Sequence, residues 1–397
     1  MKIAKYIILS SITILFLFFQ NFTTPTKIDI QRGFIDNDDE SYINVEDFGV
    51  VGDGKTDDTL GLQKAVKYAF DNGVKRLIFR PKTYLLSMPK GQNTIVLYGE
   101  NLTIVGNGAT FIKSSETGGY WGDAFLVAGL IPTMAYPIIK YYSGLTMRPA
   151  RNIVISDITI KHTTQIENMN CIGIANVNGV TLKNVTCENA PQSSFAIISY
   201  YNNRDGVRQT PASINVTLDG THSVGSKKHA YRVISYAYDK EIHQQILNVT
   251  IKNCTSKGVK EAESNEKNSE TLGHKINLWY RPAYNSAKLK VSNCSFDQSG
   301  KVLVSAALVG SLELSQNTID GGLRIVNTNT SIKVENNKIR CTLPDMSSAI
   351  FLKGMLAENT FINNKLYNYV KGCVEVNASE NFRDSPNQVI LLQGGKS

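Results

Sequence analysis

The chain has 397 residues, of which 42% are hydrophobic and 19% are charged. This composition provides enough apolar side chains for a continuous core and excludes a multi-span membrane protein. The formal net charge of +8 favours an acidic partner. Nucleic acid is not expected to be that partner, because the sequence has neither zinc-finger spacing nor a run of Lys and Arg.

The amino-terminal segment is typical of a secretory signal. Lys2 and Lys5 flank the start of an apolar run that extends from Tyr6 to Phe19. This run is shorter than the roughly 20 residues that span a bilayer. We therefore predict a signal peptide or an uncleaved anchor over 1–25, a linker over 26–43, and a secreted or periplasmic location. Apart from that possible anchor, no membrane span is expected.

A short repeat recurs along the rest of the chain, with alternating apolar residues, a polar residue that is usually Asn, and a further apolar residue. Ile153–Ile160 is a clear copy. Other copies are Val180–Cys187, Val249–Cys254, Leu289–Cys294 and Ile332–Ile339. A period of two predicts a strand with one buried face. Asn suits the bend that follows, because it tolerates left-handed backbone and bonds locally.

A second predicted strand precedes each of these repeats. The second strands are Ile172–Ala175, Ser194–Ser199, Tyr231–Ser235, Lys275–Trp279, Val302–Leu308, Leu323–Val326 and Ala349–Lys353. Amphipathic helices are missing between the strands, which argues against an α/β fold. Strand, turn, strand and bend, repeated at roughly 20–40 residues, predict a solenoid. The predicted fold is therefore all-β, a right-handed parallel β-helix that forms a single domain over 44–397.

The six cysteines do not suggest a complete disulfide framework. Cys254 and Cys294 occupy the same place in two successive repeats. We expect them to be an inward-facing, stacked pair of free thiols, because free cysteine is often buried. No disulfide is assigned from the sequence.

The segment 44–86 carries the most specific motif. Asp47 to Thr59 fits the pattern DFG-x-x-GDG-x-TDDT and is followed by a stretch with a helical apolar face. The pattern resembles the opening of polygalacturonase-like and pectate-lyase-superfamily β-helix proteins, although Lys82-Thr83 stands where those proteins usually have a glycine. The resemblance implies a β-helix that acts on a polysaccharide. Asp57 and Asp58 are interpreted as capping a short helix near Thr59 that closes the first coil.

Three consecutive coils carry long insertions, which start at Tyr200, Tyr236 and Trp279. Because each insertion leaves its coil at the same strand end, we expect the insertions to stack into a groove over 200–285. Aromatic rings and Arg side chains suit sugars and their carboxylates. The predicted substrate-binding residues are Tyr200, Tyr201, Arg204, Arg208, Arg232, Tyr236, Tyr238, Trp279, Tyr280 and Arg281.

Four residues near this groove are candidates for catalysis. Asp205 and Asp239 lie on neighbouring coils and could form the carboxylate pair of a glycosidase. Lys228 and His229 could transfer the proton in an elimination. Each also has a structural interpretation: Asp205-Gly206 fits a turn, and His229 fits a polar strand edge.

The polygalacturonase catalytic motifs are not found in order, so no catalytic residue is carried over from the resemblance. The predicted function is cleavage or modification of a polysaccharide, in particular a uronate-containing one, by hydrolysis or β-elimination. The alternatives are a non-catalytic glycan-binding surface protein and a polysaccharide epimerase. The sequence identifies no cofactor and no oligomeric state. A calcium site stays open, because stacked coils can assemble ligands that are distant in sequence.

Overall fold

A computed structural model describes most of the solenoid. The described residues are 33–35, 38–87, 94–114, 122–128, 150–163, 169–175, 177–201, 214–237, 247–262, 273–282, 287–305, 310–326, 331–341, 350–353, 359–368, 374–377, 382–384 and 388–391. The predicted signal segment, 1–25, therefore lies outside the described residues, whereas strands occupy 33–35 and 38–43 of the predicted linker. Within the described part of the chain, no helix is long and apolar enough to cross a bilayer.

The strands form two sheets, which we call sheet A and sheet B. Sheet B has ten strands: β6 Ile95–Leu97, β8 Gly122–Ala128, β10 Met169–Ala175, β12 Ser193–Tyr201, β15 His229–Ala237, β18 Ile276–Arg281, β21 Lys301–Val304, β24 Leu323–Val326, β27 Ile350–Lys353 and β30 Val374–Asn377. Each strand pairs in parallel with the strand of the next coil, as β12 does with β15. This is the stacking predicted from the repeats.

Sheet A has twenty-two strands: β1 Gly33–Ile35, β2 Asp38–Asn44, β3 Asp53–Asp57, β4 Arg76–Ile78, β5 Thr83–Leu86, β7 Thr103–Lys113, β9 Ala150–His162, β11 Val177–Glu188, β13 Ile214–Asp219, β14 His222–Val224, β16 Leu247–Lys252, β17 Thr255–Lys257, β19 Lys288–Ser292, β20 Ser295–Phe296, β22 Ser311–Ser315, β23 Thr318–Ile319, β25 Ser331–Glu335, β26 Lys338–Cys341, β28 Asn359–Ile362, β29 Lys365–Asn368, β31 Phe382–Asp384 and β32 Gln388–Leu391. Apart from the β1–β2 hairpin, the pairings are parallel. The fold is a parallel β-helix, as predicted.

In most of the described coils, sheet A bends at a residue with left-handed backbone. Asn184 (φ 51°) lies inside the long strand β11, whereas Asn253 (φ 58°) separates β16 from β17. Asn336 (φ 56°) bends a later coil in the same way. Asn tolerates this conformation better than most residues, so the recurrent Asn marks the bend, as the sequence predicted.

A second polar column lies one residue after the bend and points into the solenoid. The backbone N–H of Asn317 donates to Oδ1 of Asn337 at 2.9 Å, and the N–H of Asn337 donates to Oδ1 of Asn364 at 3.0 Å. These three side chains are buried, so each amide satisfies backbone groups that water cannot reach. In these coils a ladder of Asn side chains runs through the residue beside the bend. In an earlier coil the bend residues themselves are bonded, because Nδ2 of Asn184 donates to Oδ1 of Asp157 at 3.1 Å.

A single α-helix among the described residues, α1 (Thr59–Asn72), covers the amino-terminal end of the solenoid. Leu62, Ala65, Val66 and Ala69 form its buried face. Asp58 accepts hydrogen bonds from the backbone N–H groups of Val51 (2.7 Å) and Gly52 (3.1 Å), while Asp57 accepts from Thr59. Both carboxylates thus organise the turn that leads into the helix.

The cysteines correct one expectation from the sequence. Cys254 and Cys294 are buried free thiols on neighbouring coils, as expected. Cys171 and Cys187, however, form a disulfide, although no bridge was assigned from the sequence. Cys171 lies in β10 of sheet B and Cys187 in β11 of sheet A, so the bridge ties the two sheets of one coil across the interior.

Candidate functional site

The outer face of sheet B changes character along the solenoid. Ile276, Trp279, Leu303 and Val326 form an apolar cluster that is separate from the interior core, so this cluster lies on the outer face. The earlier coils carry polar side chains instead. We call these Asp123, Asn170, Ser193, His229 and Arg232, from four successive coils, the polar patch.

Register places part of this patch on the outer face. Arg232 pairs with Trp279 on one side and with Ala196 on the other, and Ala196 pairs with Gly173. Paired residues of in-register parallel strands point to the same side of the sheet. A column of small residues, Gly173 and Ala196, therefore leads to Arg232 across the outer face.

Asp123 is the first titratable member of the patch. Its carboxylate lies against Gly173, where an added Cβ would collide with Oδ2. Nδ2 of Asn170 donates to Oδ1 of Asp123 at 2.8 Å. Burial raises the pKa of Asp123 to about 7, against the opposing effects of the Asn170 hydrogen bonds and the Arg232 charge. A carboxyl group that titrates near neutral pH is suited to general acid–base catalysis.

His229 is held by contacts on two sides. Its Nδ1 lies 3.2 Å from Oγ of Ser193, and its ring lies 5.3 Å from the Trp279 ring. The side chain is fully buried. Ser193 fixes the orientation of the imidazole, as a hydrogen-bonded partner does for a functional histidine.

Arg232 interacts with both an aromatic ring of the apolar cluster and a carboxyl group of the polar patch. Its guanidinium lies over the Trp279 ring at 5.4 Å, and its charge acts on Asp123. The residue is only partly buried. An Arg that is held on an aromatic ring, and whose charge acts on an acid–base group, is suited to recognise a carboxylate or sulfate.

Most predicted loop residues are not placed by the structure. Asp205, Asp239, Arg204, Arg208 and Tyr238 lie outside the described residues. For Tyr200, Tyr201 and Tyr236, the structure describes only their positions in strands. Tyr200 pairs with Tyr236, so these two coils do reach the same strand end in register.

Two other predicted residues, Lys228 and Arg281, have contacts or positions outside the polar patch. Nζ of Lys228 donates to the carbonyl oxygen of Ala262 at 2.9 Å and pairs with Glu261 at 3.5 Å. Arg281 is half-buried at the end of β18. Lys228 thus helps to hold the loop that follows β17 in the next coil.

The expectation that Trp279 and Tyr280 are loop residues is corrected. Both lie within β18 and are buried. The hydroxyl of Tyr280 points into the interior and donates to the carbonyl oxygens of Ala287 and Ser311, both at 3.1 Å. Nε1 of Trp279 donates to Oγ of Ser305 at 2.8 Å. Successive side chains of a strand point to opposite faces, so Tyr280 points inward and Trp279 points outward.

Sequence reasoning missed Asp123, Asn170 and Ser193. Asp123 and Asn170 are 47 positions apart, and their strands are paired in register. One signal was available in the sequence. Several sheet B strands have a polar residue shortly before their apolar run, and Asp123, Asn170, Ser193 and His229 all occupy this position. In the part of the chain that the structure describes, no three His, Cys, Asp or Glu side chains converge as a metal site would require.

The fold defines a parallel β-helix protein. More specifically, a family profile described as "Rhamnogalacturonase A/epimerase, pectate lyase-like" matches residues 42–295, and the chain belongs to this family.

Comparison with solved structures supports the fold. PfbA, a surface adhesin of Streptococcus pneumoniae, is 16% identical with a TM-score of 0.56; the match covers 84% of this chain and 82% of PfbA. The A-module of the Azotobacter vinelandii mannuronan C-5 epimerase AlgE4 is 13% identical with a TM-score of 0.46; the match covers 89% of this chain and 98% of the module. A comparison with curated proteins finds no match. The similarity to PfbA shows a shared fold.

Proposed function

We propose that the protein is an exported enzyme that cleaves or modifies an acidic polysaccharide at the polar patch. The observation that carries this proposal is Asp123, a buried carboxyl group on the outer face whose pKa is raised to about 7. The family description, which includes a rhamnogalacturonase and an epimerase, supports a carbohydrate substrate. The basic composition and the secretory-type amino terminus agree with an acidic, extracellular substrate.

The patch offers two chemical roles, on strands β8 and β15, which are three coils apart. Asp123 can give or take a proton near neutral pH, because both of its forms are populated there. Arg232, which is partly exposed and whose charge acts on Asp123, can pair with the carboxylate of a uronate. Asp123 is only 2% exposed. Proton transfer to or from a uronate bound by Arg232 would therefore require local movement of the outer-face side chains that cover this carboxyl group.

These roles are compatible with three reactions. Hydrolysis needs an acid that protonates the leaving oxygen and a second carboxylate, for which Asp205 and Asp239 remain the predicted candidates. β-Elimination and epimerisation both need a base that removes the proton beside the uronate carboxylate. Neutralisation of that carboxylate by Arg232 would favour both of these reactions.

A non-catalytic glycan-binding surface protein is the second candidate. The fold similarity to PfbA, a surface adhesin, favours it. In that case, the patch would bind a glycan without turning it over, and the raised pKa of Asp123 would be a consequence of burial alone.

The proposal is tested with the purified protein on a panel of uronate-containing, sulfated and neutral glycans. Reducing-end assays detect hydrolysis, ultraviolet absorbance detects unsaturated products, and NMR of the polymer detects epimerisation. Asp123→Asn should lower turnover about 10²- to 10⁴-fold with little change in glycan binding. Asp205→Asn and Asp239→Asn show whether either loop carboxylate takes part.

Binding without any product across the panel would overturn the enzyme proposal and favour the surface protein. Unchanged turnover in Asp123→Asn, together with activity in the parent, would move the active site away from the polar patch.

A further inference from the structure

Two free thiols face each other in the interior of the solenoid. Cys254 and Cys294, which we call the thiol pair, are both buried. Their flanking residues are in register, with Lys252 opposite Ser292 and Thr255 opposite Ser295. The two cysteines therefore occupy equivalent positions on neighbouring coils.

The thiol pair continues the interior Asn ladder. The backbone N–H of Cys254 donates to Sγ of Cys294 at 3.4 Å, just as the N–H of Asn317 donates to Oδ1 of Asn337. Cys294 in turn receives the next rung, because its N–H donates to Oδ1 of Asn317 at 2.9 Å. A hydrogen bond between the two thiols lowers the pKa of Cys254 and raises that of Cys294, so their sulfur atoms are close neighbours.

The spacing of neighbouring coils is compatible with the Cα–Cα distance of a disulfide. Parallel neighbouring strands lie roughly 4.8 Å apart, and bridged cysteines have Cα atoms roughly 4.4–6.8 Å apart. The same interior already holds the Cys171–Cys187 bridge within one coil. A bridge between Cys254 and Cys294 would instead join two successive coils.

We propose that the thiol pair is a disulfide-forming site and that it is oxidised to an inter-coil bridge as the chain folds with a disulfide oxidant present. An exported chain meets such oxidants, whereas a cytosolic one does not. Asn at the corresponding ladder positions of later coils provides the same backbone acceptor, so hydrogen bonding alone does not require sulfur at two adjacent rungs.

The reaction is balanced by two thiol–disulfide exchanges. The thiolate of Cys254 attacks a small-molecule disulfide such as oxidised glutathione, which forms a mixed disulfide and releases one thiolate. The thiolate of Cys294 then attacks the sulfur of Cys254 and releases the second thiolate. The two protons of the cysteine thiols pass to the two released thiolates, and the oxidant is reduced by two electrons.

The burial of the two thiols determines when the bridge can form. Cys254 is fully inaccessible and Cys294 is 3% exposed in the folded solenoid. A bulky oxidant therefore cannot reach either sulfur after the coils have closed. We expect the bridge to form while residues 287–305 are still docking onto 247–262.

The test is to denature and reduce the full chain, refold it with oxidised and reduced glutathione, and then denature it, alkylate free thiols and map tryptic peptides. Trypsin releases Cys254 within Asn253–Lys257 and Cys294 within Val291–Lys301. We expect these two peptides to be lost in alkylated form and to appear as one cross-linked species that reductant separates. Refolding with reductant alone should give both peptides alkylated.

The Cys171–Cys187 bridge is the internal control for oxidation. If that bridge forms while Cys254 and Cys294 are both alkylated, the proposal is overturned. A cross-link from either cysteine to Cys341 or Cys373 overturns it as well. In Cys294→Ser, which keeps a small polar side chain at the rung, the cross-linked species must be absent and Cys254 must be alkylated.

Discussion

At the residue scale, the raised pKa of Asp123 makes the stability of the protein depend on pH. The pKa rises from 3.8 to about 7 because the carboxyl group is buried. Between these values, the native state keeps a proton that the unfolded state releases. Stability therefore falls as pH rises from about 4 to 7 and is constant above, with a loss on the order of 4 kcal/mol.

Urea unfolding between pH 4 and 8 measures this slope, and Asp123→Asn should remove it. Burial also lowers the pKa of His162 to about 3, and this histidine acts in the opposite direction. The unfolded state binds the proton there between about 3 and 6.5, so stability rises with pH. The difference between the parent and Asp123→Asn isolates Asp123; identical pH profiles would show that Asp123 is ionised in the native state.

Gly173 holds Asp123 in place by having no side chain. A Cβ there would collide with the Asp123 carboxylate, so Gly173→Ala should displace that carboxylate. Under the proposed function, turnover should then fall about as far as in Asp123→Asn, by roughly 10²-fold or more. Initial rates on the active glycan measure the effect.

Ala196→Gly is the matched control, because Ala196 pairs with Gly173 in the same column of the next coil. It should leave turnover within about twofold of the parent. If Gly173→Ala keeps its activity, the Asp123 carboxylate can be displaced without loss of turnover, and its position does not determine the rate.

At the element scale, two adjacent Asn residues have different roles: one adopts the left-handed backbone of the bend, and the next provides the buried amide of the ladder. Asn336 is exposed with left-handed backbone, whereas the side chain of Asn337 is buried and bonds to Leu314, Glu335 and Asn364. Asn337→Ala leaves several buried polar groups without partners and should cost about 2–4 kcal/mol of unfolding free energy. Asn336→Gly keeps the backbone conformation and should cost only a few tenths of a kcal/mol.

Equilibrium urea unfolding of the two variants under the same conditions measures this difference. Similar destabilisation by both substitutions would contradict the separation of bend and ladder. Since the two residues are adjacent, effects of position along the solenoid cancel in the comparison.

These elements also show what the sequence predicts well. Alternation such as that of Ile153–Ile160 directly reports a strand with one buried face, and the Asn after it reports the bend. The polar patch was predictable only in part, because His229 and Arg232 were predicted but Asp123, Asn170 and Ser193 were not. Asp123 interacts with Asn170, Gly173 and Arg232, which lie 47 or more positions later in the sequence, and alternation within one strand does not report which residues of different coils are paired.

At the scale of the whole molecule, the solenoid must protect its first exposed edge. Strand β6 begins sheet B and pairs with β8 on one side only. On its other side, Gln63 of α1 takes the place of a strand: Nε2 donates to the carbonyl oxygen of Val96 at 3.2 Å, and the N–H of Val96 donates to Oε1 at 2.9 Å. A single side chain thus satisfies both backbone groups of the edge residue.

Unpaired strand edges promote association between chains. Because Gln63 covers the edge of β6, we expect it to affect both stability and solubility. Gln63→Leu places an apolar side chain of similar size in the helix and leaves the buried N–H and carbonyl of Val96 without their Gln63 partner. We expect a loss of about 2–3 kcal/mol in unfolding free energy and a concentration-dependent rise in light scattering. Lys64→Leu, on the exposed side of the same helix, controls for added surface hydrophobicity. If both variants scatter equally, the cap does not act through Val96; if only Gln63→Leu does, the edge of β6 is the surface through which the chains associate.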